Sequence, residues 1–301
     1  MTSWIWLTSL LSLAGVVFLA ISGRGTPTRV SYTLSMWLYA VSAVAALLGF
    51  VGVLLNHGQA ETYLFSMFGL QEHEGFRVGI ATTLVTLLLY LVATVWMFVQ
   101  WRRADRANTA RAHDESLVGA WATFGLSILI LAPTLAQAFL GMVLTVLSTF
   151  YLFCRLPLGE GVRALEVRVV IIVTLVISTI LQTLPTWVAW HALHTVQLTE
   201  IQYQVVGSGW HGPGWLVWVW LLGVVVEAAT WFVLPTLLKA SPLGVQLRLI
   251  IVQGLASALY VWLAWSVVVA SLWHVWLVIV AGLVALGAFA GTLKRIQVRG
   301  L

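Results

Sequence analysis

The chain has 301 residues, of which 61% are hydrophobic and only 8% charged, and its mean hydropathy is +0.99. A soluble domain carries about 25% charged residues, so this chain cannot cover a water-facing surface, and a soluble globular domain is excluded. The formal net charge of +5 falls on short segments between apolar runs, where basic residues set membrane topology; the expected surroundings are membrane lipid, not nucleic acid.

The first apolar run, Trp4–Ser22, has no basic residue before it, and Arg24 and Arg29 follow it. That order is the reverse of a secretory leader's, so the run is expected to remain as a membrane span. It closes in Gly23-Arg24-Gly25-Thr26-Pro27. A second span is expected over Tyr32–Leu55. A polar stretch, Asn56–Glu74, holds His57 and His73. A third span is expected over Phe76–Trp101. The most charged segment follows and reads as a loop: Arg102, Arg103, Asp105, Arg106, Arg111, His113, Asp114 and Glu115. Apolar runs of about 20 residues suffice to cross a bilayer core. The 17 tryptophans suit the boundary between headgroups and hydrocarbon.

Leu117–Phe153 carries no charge. One straight helix over it would be about 55 Å long, against a bilayer core of about 30 Å. It is therefore either one kinked or protruding helix or two short spans broken near Pro133, which removes a backbone donor and clashes with the preceding turn. Another span is expected over Val167–Trp190. The polar, aromatic loop His191–Gly214 leads to three more, Trp215–Leu237, Leu247–Val269 and Trp273–Leu293. The expected fold is an all-α polytopic transmembrane bundle of eight spans, or nine if Leu117–Phe153 is a hairpin. Nine gathers Arg24/Arg29, Arg102–Arg111, Arg155/Arg163/Arg168, Lys239/Arg248 and Lys294/Arg295 on one side, with Arg77 the exception. The positive-inside rule selects that arrangement. It places the N-terminus outside and the C-terminus inside the cytoplasmic membrane.

In this topology six of the seven histidines lie at the outer side: His57, His73, His191, His194, His211 and His274. His113 is the exception. His57 and His73 flank one loop, and His194 and His211 flank another at nearly the same separation. The match suggests two four-helix halves, 30–165 and 166–301, after an extra N-terminal span, 1–29; parallel repeats recur in membrane proteins. Neutral imidazole is a common axial ligand of haem iron. Two histidines on different helices at one depth can sandwich a porphyrin, whereas a single interfacial histidine needs only water or headgroups around it. The best pair is His211, which opens the span Trp215–Leu237, and His274, which opens the last span.

The order His211, then Val252-Gln253-Gly254-Leu255-Ala256-Ser257, then Leu272-Trp273-His274 resembles the haem A synthase family. In that family's second half one ligand opens a helix, the next helix carries a Gln and small residues, and the second ligand opens the helix after. Ala136-Gln137-Ala138-Phe139-Leu140-Gly141 is similar to the matching first-half segment. The resemblance implies haem, held by His211 and His274, with His73 and His194 as further cofactor-binding candidates. It departs from the family where Glu74 and Gly212 follow histidines often followed by Arg. Leu70 stands where the family has Glu, beside Glu72 and Glu74, and the outer-loop cysteine pair is absent.

Glu72, Glu74 and Glu227 are the candidate catalytic carboxylates; Glu227 lies within an apolar span, where an ionisable group is expensive and functional by default. Cys154 is the one cysteine, so no disulfide forms within the chain. No His-Glu-x-x-His motif, Ser–His–Asp set or Gly-rich phosphate loop is visible. Three readings stand. The first is a haem-binding redox protein, either a haem-modifying enzyme or a cytochrome b-like carrier working with quinone or another respiratory membrane protein. The second is a permease for a hydrophobic or weakly polar solute, with Pro133, Pro185 and Pro235 as span breaks. Its few polar groups within spans would be Gln137, Gln182, Gln253 and Glu227. The third is a non-catalytic subunit of a membrane complex.

Overall fold

A computed structural model describes residues 4–22, 28–56, 59–65, 74–102, 109–155 and 162–195, with scattered positions between 197 and 226. Contacts divide the chain into two compact units, Met1–Leu152 and Phe153–Leu301.

The first unit contains α1 (Trp4–Ser22), α2 (Thr28–Leu55), β1 (Gln59–Phe65), β2 (Glu74–Gly79), α3 (Ile80–Arg102), α4 (Thr109–Ile130) and, as far as Leu152, α5 (Leu135–Arg155). Three stretches, Trp4–Ser22, Arg29–Leu55 and Ile80–Arg102, are long and apolar enough to cross a membrane. Their outward faces expose large apolar side chains such as Phe18, Ile21, Val44, Val92 and Val95. Water does not tolerate apolar faces of that extent, and lipid does. The molecule is a membrane-embedded helical protein.

The expectation of an all-helical chain needs one amendment. β1 and β2 pair antiparallel between α2 and α3, so Phe76–Gly79 is strand and not the start of the third span. The helix start is fixed by Thr82, whose Oγ1 accepts from the Gly79 N–H at 2.8 Å, as in a capping box. Arg77 sits on β2 directly across from Glu61.

A second correction concerns α4. It begins at Thr109, so His113, Asp114 and Glu115 belong to a helix and not to a loop. From His113 to Ala132 only Trp121, Phe124 and Ile128 are more than slightly exposed. A helix buried on all sides belongs to a core, and α1, α2 and α3 all pack on this one.

Leu117–Phe153 is a helical hairpin. α4 ends before Ala132, which precedes Pro133 and is pushed out of helical geometry by it. Thr134 then starts α5, its Oγ1 accepting from the Gln137 N–H at 3.1 Å, an N-cap bond. The two helices touch through their backbones. A Cβ added at Gly141 would lie 2.6 Å from the Leu129 nitrogen, and one at Gly125 would lie 2.9 Å from the Gly141 carbonyl oxygen. Only glycine permits that approach.

The unit has two distinct ends. At one, Leu19 of α1 meets Leu117 and Ala120 of α4, with Leu34 of α2 and Tyr151 of α5 against them. At the other, Ile5 of α1 meets Val53 of α2, Val78 of β2 and Leu131 of the hairpin turn. Arg29, Arg102 and Arg111 therefore stand on helix termini at the first end, while the β-hairpin lies at the second.

In the second unit α6 covers Val162–Leu193, longer than the expected Val167–Trp190, and continues through Pro185. It stops at His194, which adopts φ 55° and donates its N–H to the Trp190 carbonyl at 2.9 Å. That is a left-handed helix cap. Gln182 is buried on α6 and donates to Ser178 Oγ at 3.1 Å. The spans expected at Leu247–Val269 and Trp273–Leu293 lie outside the described residues, as does Pro235.

Candidate functional site

Of the residues singled out from sequence, His211, His274, His73, Glu72, Glu227, His57 and Gln253 lie outside the described residues. Glu74 opens β2, with Phe65 its partner in register. His194 caps α6 and its side chain is exposed. His191, one turn earlier, is also exposed, its ring centroid 5.8 Å from that of Trp187. Among the described residues no three of His, Cys, Asp or Glu converge in a group able to hold a metal.

The polar groups that the first unit does bring together are different ones, in two layers. The first layer joins α1, α3 and α4 deep in the bundle. Tyr90, fully buried, donates its hydroxyl to the Thr8 carbonyl at 3.0 Å. Its proton being committed, the 2.8 Å contact with Ser12 Oγ must be donated by Ser12. Ser127 likewise donates to the Phe124 carbonyl at 2.8 Å, so Ser9 is the donor across the 3.1 Å contact between their hydroxyls. These bonds satisfy buried polar groups that apolar surroundings would otherwise penalise.

The second layer lies at the end that carries the basic termini. His113, Asp114, Glu115 and Ser116 are 3%, 8%, 7% and 0% exposed. Four consecutive polar residues can all be buried only if partners surround the helix. Tyr32 of α2 points its hydroxyl at Glu115 Oε2, 3.4 Å away. Tyr151 of α5 points its own at Asp114 Oδ1, 3.5 Å away, and its ring tilts against Trp121 with centroids 6.4 Å apart. Both bonds are long. The two carboxylates thus face different neighbours, Glu115 towards α2 and Asp114 towards α5.

Sequence reasoning missed this layer because its members sit in the most charged segment of the chain, which reads as a solvated loop. The available signal was the run His113-Asp114-Glu115-Ser116 directly before an uncharged stretch, which can be the opening turns of a helix. Ionisable groups buried in a membrane protein are rare and mark functional positions.

The fold and its lipid-compatible faces define the class, a membrane-embedded helical protein with a polar layer at one end. Compared with models of known protein families and with curated proteins, the chain matches none.

Proposed function

We propose that the chain is an integral membrane haem-binding redox protein crossing the cytoplasmic membrane nine times, with the N-terminus outside. The reading rests on the segregation of basic residues from histidines. The hairpin of α4 and α5 is the observation that supports it. By turning back at Leu131–Thr134 it leaves Arg29, Arg102 and Arg111 at one end of the first unit. His57, which follows the end of α2, and His73, which precedes β2, belong to the segment at the other end. Under the positive-inside rule the basic end is cytoplasmic, and six of the seven histidines then collect outside. Paired imidazoles at one depth suit axial ligation of haem, and His211 with His274 is the pair that this reading assigns to the iron. The resemblance to haem A synthases agrees with it. Quinone or another respiratory membrane protein is the corresponding electron partner.

The test is the reduced-minus-oxidised visible spectrum of the chain purified in mild detergent from haem-replete cells. Sharp α and β bands are expected, and His211→Ala or His274→Ala removes them while the protein still elutes as a folded monodisperse species. A flat spectrum from well-folded wild-type protein overturns the reading.

A further inference from the structure

The large exposed side chains of α3 fall on one stripe. Leu88, Val92 and Val95 are exposed, up to 67% at Val92. Phe98 and Arg102 continue the row at the same steps of three and four residues, the spacing of a single helix face. α3 begins at the end that carries the β-hairpin and finishes at the opposite one, where Leu19 meets Leu117. The stripe therefore runs along the lipid-facing side of a span and ends on a cation.

That cation has a fixed seat. The guanidinium carbon of Arg102 lies over the Phe98 ring, 4.8 Å from its centroid. The same ring stacks with Trp101, the centroids 6.0 Å apart and the planes 22° from parallel. A cation within about 6 Å of a ring centroid is drawn to the electron-rich face. Phe98, Trp101 and Arg102 are all exposed. Tryptophan favours the boundary between headgroups and hydrocarbon, and arginine lays its stem along apolar surface to hold its charge at that level. The ring contact uses the charge of the guanidinium and leaves its N–H fork for oxygen acceptors. Asp114 and Glu115, the described carboxylates of this end, are buried on α4 and not on the outward face of α3.

We propose that this end of α3 binds an anionic phospholipid, its phosphate on Arg102 and one acyl chain along Val95, Val92 and Leu88. A guanidinium fork matches two phosphate oxygens at once. The occupant is a lipid and not a free phosphate ion because the cation closes an apolar stripe, and only a lipid carries a chain to cover it. It is anionic and not zwitterionic because the ammonium of a choline headgroup already balances its own phosphate. Val95 lies two turns from Arg102, about 10 Å along the axis, so the headgroup and chain of one lipid reach both. The site rests on α3 alone and does not depend on the haem reading.

The experiment places a photoreactive benzophenone side chain at the exposed Val95 of the full chain. The protein is reconstituted in nanodiscs of phosphatidylcholine with a minor share of phosphatidylglycerol of the same acyl chains, and the lipid captured on illumination is identified by mass spectrometry. Phosphatidylglycerol is expected about fivefold above its share of the bilayer, the factor that one basic residue near anionic headgroups contributes. Arg102→Gln returns the capture to the bulk proportion. Phe98→Leu keeps an apolar side chain but removes the seat, and about halves the enrichment, the scale of an exposed cation–π contact. Arg155→Gln removes the same charge from the end of α5 and leaves the enrichment unchanged. Capture by the otherwise wild-type chain decides the matter alone if a variant does not elute as a folded species: phosphatidylglycerol taken only in bulk proportion overturns the proposal. An equal fall in Arg155→Gln and Arg102→Gln overturns it too, since the attraction is then diffuse. Enrichment abolished by inorganic phosphate at constant ionic strength gives the site to a free anion and overturns it as well.

Discussion

Tyr90 ties two helices with a single oxygen. Its hydroxyl accepts from Ser12 and donates to the Thr8 carbonyl, both on α1, from a position on α3 with no exposed surface. Tyr90→Phe keeps the ring and removes both bonds, leaving the Ser12 hydroxyl to find a local carbonyl. Hydrogen bonds between membrane helices average about 0.6 kcal/mol and reach about 1.7. Because two bonds are lost, the expected destabilisation is about 1 kcal/mol, read by denaturant unfolding in mixed micelles. A variant as stable as wild type would show that the network is dispensable and that packing alone holds α1 against α3. The reverse probe is Ser9→Ala. It removes a donor to Ser127, but Ser127 keeps its own bond to the Phe124 carbonyl, so the loss is smaller than for Tyr90→Phe.

Among the elements, the α4–α5 hairpin is the most constrained, because backbone touches backbone at Gly125 and Gly141. Gly141→Val puts branched carbon where the Leu129 nitrogen lies. Overpacking of this kind costs about 1–3 kcal/mol, and more here because the obstacle is backbone. The expected result is a large loss of folded protein after mild heating, followed by size-exclusion chromatography. Gly214→Ala, whose Cβ would meet nothing within 4 Å, is the matched control and leaves the profile unchanged. The two positions show what a sequence can and cannot tell. The bounds of α1 were legible to the residue, because the apolar run stops at a glycine and proline cluster. Pro133 marked the break in Leu117–Phe153, but whether the chain turned back depended on two glycines sixteen residues apart, whose contact exists only in three dimensions. The start of α3 was misread because Phe76 and Val78 are apolar and adjoin a long apolar run, while the strand that pairs with β2 lies across a loop. The start of α4 was misread for the opposite reason. Charge signals solvent in a lone segment, and it takes partners from distant helices, Tyr32 and Tyr151 among them, to make burial of Asp114 and Glu115 tolerable. The haem candidates His211, His274 and His73, with Glu72 and Glu227, fall outside the described residues, so their legibility rests on the spectrum.

For the whole molecule the decisive quantity is which end faces which side of the membrane. The first unit gathers its basic helix termini at one end and its β-hairpin at the other, and a bilayer with an inward preference for Lys and Arg must orient that asymmetry one way. Single cysteines placed in a Cys154→Ser background report the orientation, since no other thiol is present. Gln71→Cys, between β1 and β2, is expected to react with an impermeant maleimide in intact spheroplasts. Asn108→Cys, between α3 and α4, is expected to react only after permeabilisation. Gln197→Cys, following α6, discriminates further. With nine spans it shares the outer side with Gln71→Cys, because the hairpin adds a second crossing between Asn108 and α6. If α4 and α5 together cross only once, Gln197→Cys is protected where Gln71→Cys is labelled. That outcome would scatter the basic segments over both sides, separate His194 from His73, and remove the histidine segregation on which the haem reading stands. Labelling of both from outside would leave the outer histidines on one surface and the basic segments on the other, the segregation on which the haem reading stands.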